Sequence, residues 1–256
     1  MKSRISYLCV FFYVFLAIIN SNNRLLFSKP TRDVIKSADN LYEQREDVKS
    51  ARLAYHTYKE ALKNEPQNYE ALWKAAKTGF YLTEVLKNKK EKKLIVKESL
   101  KYAKEAVKLE PKGVEGHFWL GVLYTKYGEL YGVLKSLFLI RPAKREMKTV
   151  LKLDETYELA GAYVVLGRIN SQVPGLFGGS DKKARIFFEK VREIFPKNSL
   201  NLLFLAETYW DLKKKELAIK ILKELIEMIP DPAWEPETKR YQLEAKVRLK
   251  KYSQKK

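Results

Sequence analysis

The sequence predicts an all-α fold: a solenoid of about five helical hairpins closed by a C-terminal capping helix. Three observations predict it. Proline closes similar phrases at Glu65-Pro66, Glu110-Pro111, Phe195-Pro196 and Ile229-Pro230, and Asp154 fits a fifth such place. The last spacing equals the 34-residue tetratricopeptide period, and the earlier ones exceed it by about eight to eleven residues. Glycine and proline number only 11 and 9 in 256 residues, below the usual ~12%. So few turn residues speak against a sandwich or barrel.

The units share one internal phase. Leu202-x-x-Leu205-Ala206-x-x-Tyr209 opens the first helix of the last unit, and Ala218, Leu222 and Leu225 mark its second. His117-x-x-Leu120-Gly121-x-x-Tyr124 repeats the opening in the third unit. Ala54, Tyr58 and Ala61 precede Pro66, and Ala184, Phe188 and Val191 precede Pro196. A small residue lets two helices approach, a large one a turn away fills the space beside it, and proline stops the helix. The expected architecture is a right-handed tetratricopeptide-like solenoid. Its pairs are Val34–Arg45 with Asp47–Asn64, Tyr69–Leu86 with Lys92–Leu109, Val114–Tyr127 with Tyr131–Leu151, Thr156–Asn170 with Asp181–Phe195, and Ser199–Leu212 with Glu216–Met228. The last helix, Glu235–Tyr252, carries Lys and Arg on its outer face and suits a polar cap.

The first residues read differently. Lys2 and Arg4 precede the apolar run Ile5–Ile19, which a polar stretch ends. As a helix this run spans ~22 Å, short of a ~30 Å hydrocarbon core. Residues 1–23 are therefore expected to be a signal peptide or an N-terminal membrane anchor, 24–33 a linker, and 34–256 the helical domain. That places the chain outside the cytoplasm, in the periplasm, with anchoring to the inner membrane by residues 5–19 left open beside cleavage. Leu8 before Cys9 does not make a lipoprotein box.

Three stretches interrupt the repeat. Asn88–Lys93 reads as a solvated, lysine-rich loop. Tyr127–Gly132 reads as a link between helices. In Val173–Ser180, Pro174 and the glycines are expected to let Leu176 and Phe177 tuck inward, Leu176 as an anchor and Phe177 toward a groove, with Ser180 or Asp181 capping the next helix. The spacing of Lys182 and Lys183 does not make a phosphate-binding loop.

Several phrases resemble a known family: Asn68–Trp73, Val114–Gly121, Leu166-Gly167-Arg168, Val173-Pro174-Gly175, Gly178-Gly179-Ser180 and Pro230–Glu237. Together they resemble the TatT family, tetratricopeptide T components associated with tripartite ATP-independent periplasmic (TRAP) transporters, over about residues 36–245. The resemblance implies a periplasmic protein that is not an enzyme. Its protein partner would be an extracytoplasmic solute-binding subunit, with homo-oligomers open, and a groove would pass a small, hydrophobic ligand.

Chemistry-bearing motifs are scarce. A single cysteine excludes a disulfide framework, and His56 and His117 do not share a metal-binding spacing. The sequence has neither a serine nucleophile elbow nor a dinucleotide turn, so neither catalysis nor a cofactor is expected. The formal charge is +19, but the cations are spread over helix faces. That fits an anionic headgroup or acidic partner better than nucleic acid. Aromatic residues gather on the first helices, which line the concave side of such solenoids. Trp73, His117, Phe118, Trp119, Tyr124, Tyr163 and Arg168, with Leu176 and Phe177 on the insert, are the candidates for a ligand or partner groove.

Overall fold

The computed structural model describes residues 30–254, and the expected leader lies outside the described residues. Within them the chain forms eleven α-helices: α1 Thr31–Glu43, α2 Val48–Asn64, α3 Tyr69–Val85, α4 Lys89–Leu109, α5 Val114–Tyr131, α6 Val133–Leu153, α7 Tyr157–Gln172, α8 Asp181–Ile194, α9 Ser199–Asp211, α10 Lys215–Glu227 and α11 Glu235–Ser253. Short 3-10 turns at Gly175–Phe177 and Pro232–Trp234 complete the described chain, which contains no strand. The helices pair as five successive hairpins with α11 packed on α9 and α10. This is the expected tetratricopeptide-like solenoid.

The repeat phase has its physical cause in the core. Ala54, Ala61, Ala184, Ala206 and Ala218 are all fully buried at helix crossings, beside buried Tyr58, Phe188, Val191, Leu222 and Leu225. A Cβ on Gly121 would stand 2.2 Å from the Met147 methyl, so this crossing admits only glycine without movement. Between units the chain reverses in one way. The Asn68, Gly113 and Asn198 amides donate to the Glu65, Glu110 and Phe195 carbonyls, each across a proline. Asn68 and Asn198 then cap α3 and α9 with their side chains.

Three inserts differ from expectation. Asn88–Lys93 is not a loop: the Asn88 side chain accepts from the Lys90 and Glu91 amides, so α4 begins at Lys89 and the lysines are helical. The stretch Tyr127–Gly132 is not a linker either. Helix α5 runs to Tyr131, and Gly132 alone, at φ 104, turns the chain into α6. A β-carbon would be strained at that φ. Leu176 and Phe177 do not tuck inward, since they are 90% and 55% exposed. The Phe177 and Gly179 amides bond back to the Pro174 carbonyl, with Gly178 at φ 85, and this tight turn points both side chains out. Ser180 caps α8 as expected.

Helix α11 closes the stack. Gln242 Nε2 donates to the carbonyls of Leu225, Ile226 and Met228, which satisfies the open end of α10. Tyr252 stacks on Trp210 at 3.8 Å. The outer face of the cap is less polar than expected, because Leu243 and Val247 are exposed there.

Candidate functional site: the concave face

The first helices α3, α5, α7 and α9 present one face to the inside of the solenoid. On α3 the spacing places Trp73, Lys77 and Phe80 on that face. Lys77 lies at its centre. Its Nζ donates to Glu158 Oε1 at 2.8 Å and stands 5.4, 5.5 and 5.7 Å from the rings of Trp119, Trp234 and Tyr42. A cation among three rings and one carboxylate is held by both charge and ring quadrupoles. Glu158 comes from a rare turn: Glu158, Leu159 and Ala160 have φ of 51, 57 and 59. Left-handed L-residues cost about 1–2 kcal/mol each. Here the Leu159 carbonyl is met by Asn198 Nδ2 at 3.0 Å.

The two ends of the solenoid meet across this face. Arg45, in the turn after α1, donates from Nε and Nη2 to the two Glu237 oxygens at 2.8 Å each, and from Nη2 to the Ala233 carbonyl at 2.5 Å. These side chains are only 8% and 12% exposed. Tyr81 Oη donates to the Arg45 carbonyl at 2.8 Å. Burial works against the guanidinium charge, but the Glu237 hydrogen bonds and neighbouring charges outweigh it and raise the Arg45 pKa. The segment Pro232–Glu237 thus closes the concave face from its own C-terminal side.

Burial also governs the tyrosines. It raises Tyr42 well above its ordinary value, with the Glu237 charge adding to it. It pushes Tyr241 up to about 12 against the Arg240 charge, and Tyr209 to about 12 with help from the Glu189 hydrogen bond. Unfolded tyrosine titrates near ~10. A raised native pKa stabilises the fold fully below ~10, and that contribution is lost as pH rises through about 12. An absorbance titration is expected to show a tyrosine fraction that ionises only as helix is lost above pH ~10. Reversible ionisation of every tyrosine near 10 in the folded chain would contradict this burial.

The candidates from the sequence fall into separate places. Trp73, Phe118 and Trp119 gather near Lys77 and Phe80. Trp73 is half-buried, while Phe118 and Trp119 are buried, with Phe118 edge-on to Trp119 at 5.0 Å and to Tyr157 at 5.3 Å. His117 is buried as well. Its Nδ1 lies 2.7 Å from Glu146 and its Nε2 donates to the Pro111 carbonyl at 2.9 Å, so it ties α5 to α6 and to the preceding turn. Tyr124 is half-buried with Lys104 over its ring. Tyr163 donates to Glu155 and accepts from Lys190. Arg168 donates to Glu207 at 2.6 Å and covers the Phe204 ring, and Arg248 from α11 shares the same Glu207. Leu176 and Phe177 stand apart on the hairpin turn.

Sequence reasoning missed Lys77, Glu158, Tyr42, Arg45, Trp234 and Glu237. Lys77 was findable, four residues after Trp73 and three before Phe80. The pairing of Arg45 with Glu237 left no local trace. Among the described residues no group of three or more His, Cys, Asp or Glu is arranged to hold a metal ion, and no helix there is long and apolar enough to cross a membrane.

Known proteins bear on this geometry. The family model described as regulator of microtubule dynamics protein 1-3 matches residues 34–177. Regulator of microtubule dynamics protein 1 of Bos taurus is 26% identical over 240 residues, covering 87% of this chain and 72% of that protein. The Pongo abelii protein of the same name is 27% identical over 238 residues, with 87% and 73% covered. Among solved structures, a thermophilic TPR protein of Thermus thermophilus superposes with a TM-score of 0.62 at 19% identity, over 87% of this chain and 98% of that one. PilW, a widely conserved type IV pilus biogenesis factor, gives 0.56 at 17% identity, over 87% and 93%. These structures share the fold. The family match spans the first three hairpins and helix α7, including the α3, α5 and α7 faces around Lys77, and on it the chain belongs to the regulator of microtubule dynamics protein 1-3 family.

Proposed function

We propose that this chain is a non-enzymatic adaptor that holds a protein partner on its concave face and works outside the cytoplasm. The observation that carries the reading is the chain's own segment seated there: Trp234 lies against Lys77 and Arg45 grips Glu237. A face that holds an aromatic and an acidic residue of its own chain suits a partner segment with the same two features. Such a partner would compete with the C-terminal segment. The relatives are named for regulating microtubule dynamics, which is exercised on a protein assembly, and this supports a protein partner here.

In its finer form the proposal follows the TatT resemblance. The partner is then a periplasmic solute-binding subunit of a TRAP transporter, and Trp73, Phe80 and Trp119 border the path of a small hydrophobic ligand. Export rests on Lys2, Arg4 and the apolar run Ile5–Ile19. A second reading, an envelope-assembly scaffold without a transport role, draws on the pilus biogenesis factor that shares the fold.

The test is capture from host cells with the full chain and with its Lys77→Gln variant, with and without excess peptide of the sequence Asp231–Glu237. Recovery of a solute-binding subunit is expected, lowered by the variant and by the peptide. Recovery of envelope-assembly proteins with the same sensitivity would favour the second reading. Recovery indifferent to both would contradict a concave-face adaptor.

A further inference from the structure

The hairpins that exceed the tetratricopeptide period place their extra residues on one edge. Helices in a solenoid alternate in direction, so the turns inside α3/α4, α5/α6 and α7/α8 all fall on the same side. In each of these turns, or in the first two turns of the helix that follows it, apolar side chains stand in solvent. Leu94 at the start of α4 is exposed, and so are Leu176 and Phe177 between α7 and α8. Between them, Val133, Leu134 and Phe138 are 74%, 74% and 76% exposed. None of the residues from Val133 to Pro142 is buried, since the buried side chains of α6 begin at Ala143. The first half of this helix therefore overhangs the packed body.

The overhang is braced by its neighbours. A Cβ on Gly128 would stand 2.7 Å from the Ser136 Cα, so α5 and α6 touch backbone to backbone. Tyr131 stacks on Tyr127 at 4.2 Å and donates to the Lys93 carbonyl, which joins the α5/α6 tip to the start of α4. Folding gains little from apolar side chains on such tips, and a set of them on one edge marks a contact surface.

Charge selects the contact. Lys89, Lys90, Lys92 and Lys93 open α4 beside Leu94. Lys135 and Arg141 flank Phe138, and Lys182 and Lys183 follow the Leu176-Phe177 turn. Lys144 of α6 lies close enough to Lys183 and Lys148 that partial burial and their charges lower its pKa. Glu91, the acid inside the α4 lysine run, is neutralised by Arg52. The edge is a row of separate apolar points in a cationic field rather than a groove. That form matches a flat, anionic, deformable surface, into which apolar points insert while lysines stay at headgroup level.

We propose that this edge docks the solenoid onto an anionic membrane surface, with Phe138 and the Leu176-Phe177 turn entering the headgroup region. This surface is separate from the concave face and leaves it free.

The test uses the full chain with Cys9→Ser, carrying a polarity-sensitive fluorophore at Phe138→Cys or Leu176→Cys. The control label sits at Lys112→Cys, in the α4–α5 turn on the opposite edge. With vesicles of phosphatidylglycerol and phosphatidylcholine, emission at 138 and 176 is expected to shift to the blue and to be quenched by a lipid-borne quencher, while the control stays in water. The apparent affinity is expected to fall at least about tenfold with phosphatidylcholine alone, and likewise for Lys182→Glu with Lys183→Glu. Labels that stay in water on anionic vesicles would overturn the proposal, as would equal shifts on neutral ones. A blue shift without vesicles would also overturn it: if independent of concentration, the chain's own N-terminal run covers the edge; if concentration-dependent, a second copy does.

Discussion

Glu237→Ala is expected to lower the unfolding free energy by about 3–5 kcal/mol, the scale for removing one partner of a buried ion pair. The Arg45 guanidinium would stay between the Tyr42 and Tyr81 rings, 4.9 and 5.9 Å from their centres. It would keep the Ala233 carbonyl but lose both carboxylate oxygens. The loss comes from a buried charge left unpaired rather than from the attraction itself. Replacing both partners, Arg45→Met with Glu237→Leu, is therefore expected to recover most of the stability. Denaturant unfolding of the two variants beside the native chain measures both effects. A loss below about 1 kcal/mol, the worth of a surface pair, would mean that the ends of the solenoid do not meet in solution.

Phe188→Ala should cost a similar amount, about 3–5 kcal/mol. Phe188 is fully buried in the core shared by α7, α8 and α9. Its ring edge lies 2.5 Å from where a Cβ on Gly167 would stand, so ring and glycine fill one space between them. Gly167→Ala alone should destabilise through overpacking by about 1–3 kcal/mol. In the double variant the added methyl enters the space the ring has left. The two losses should then sum to more than the measured one, a coupling that thermal or denaturant unfolding reads directly. Strict additivity would show that α7 and α8 do not cross at this pair.

The repeat was legible because its causes are local. Ala54, Ala184, Ala206 and Ala218 announce helix crossings by their phase, and each is fully buried. The proline turns after Glu65, Glu110 and Phe195 carry their own stop and restart. Asn88 followed by Glu91 was also a readable helix start, but the density of lysine around it suggested a loop. The direction of Leu176 and Phe177 was harder, since Pro and Gly permit a turn without fixing which way its side chains point. His117 occupied a core-facing position, but its partner Glu146 lies a helix away. The closing of the concave face was least legible. It depends on the rotation accumulated over five hairpins, which brings residue 45 to residue 237. No periodicity within a unit encodes that sum.

The C-terminal segment sits across the concave face and joins the two ends of the solenoid. Lys239 Nζ lies 3.2 Å from Glu46 beside the buried pair, and both side chains are exposed enough to be replaced. The direct measurement is intramolecular cross-linking of Glu46→Cys and Lys239→Cys in the Cys9→Ser full chain, with a short bis-maleimide at high dilution. A closed solenoid predicts a single bridged species of monomer mass, reduced when Glu237→Ala is added. Chains that carry one unbridged adduct at each cysteine, with or without Glu237, would contradict it.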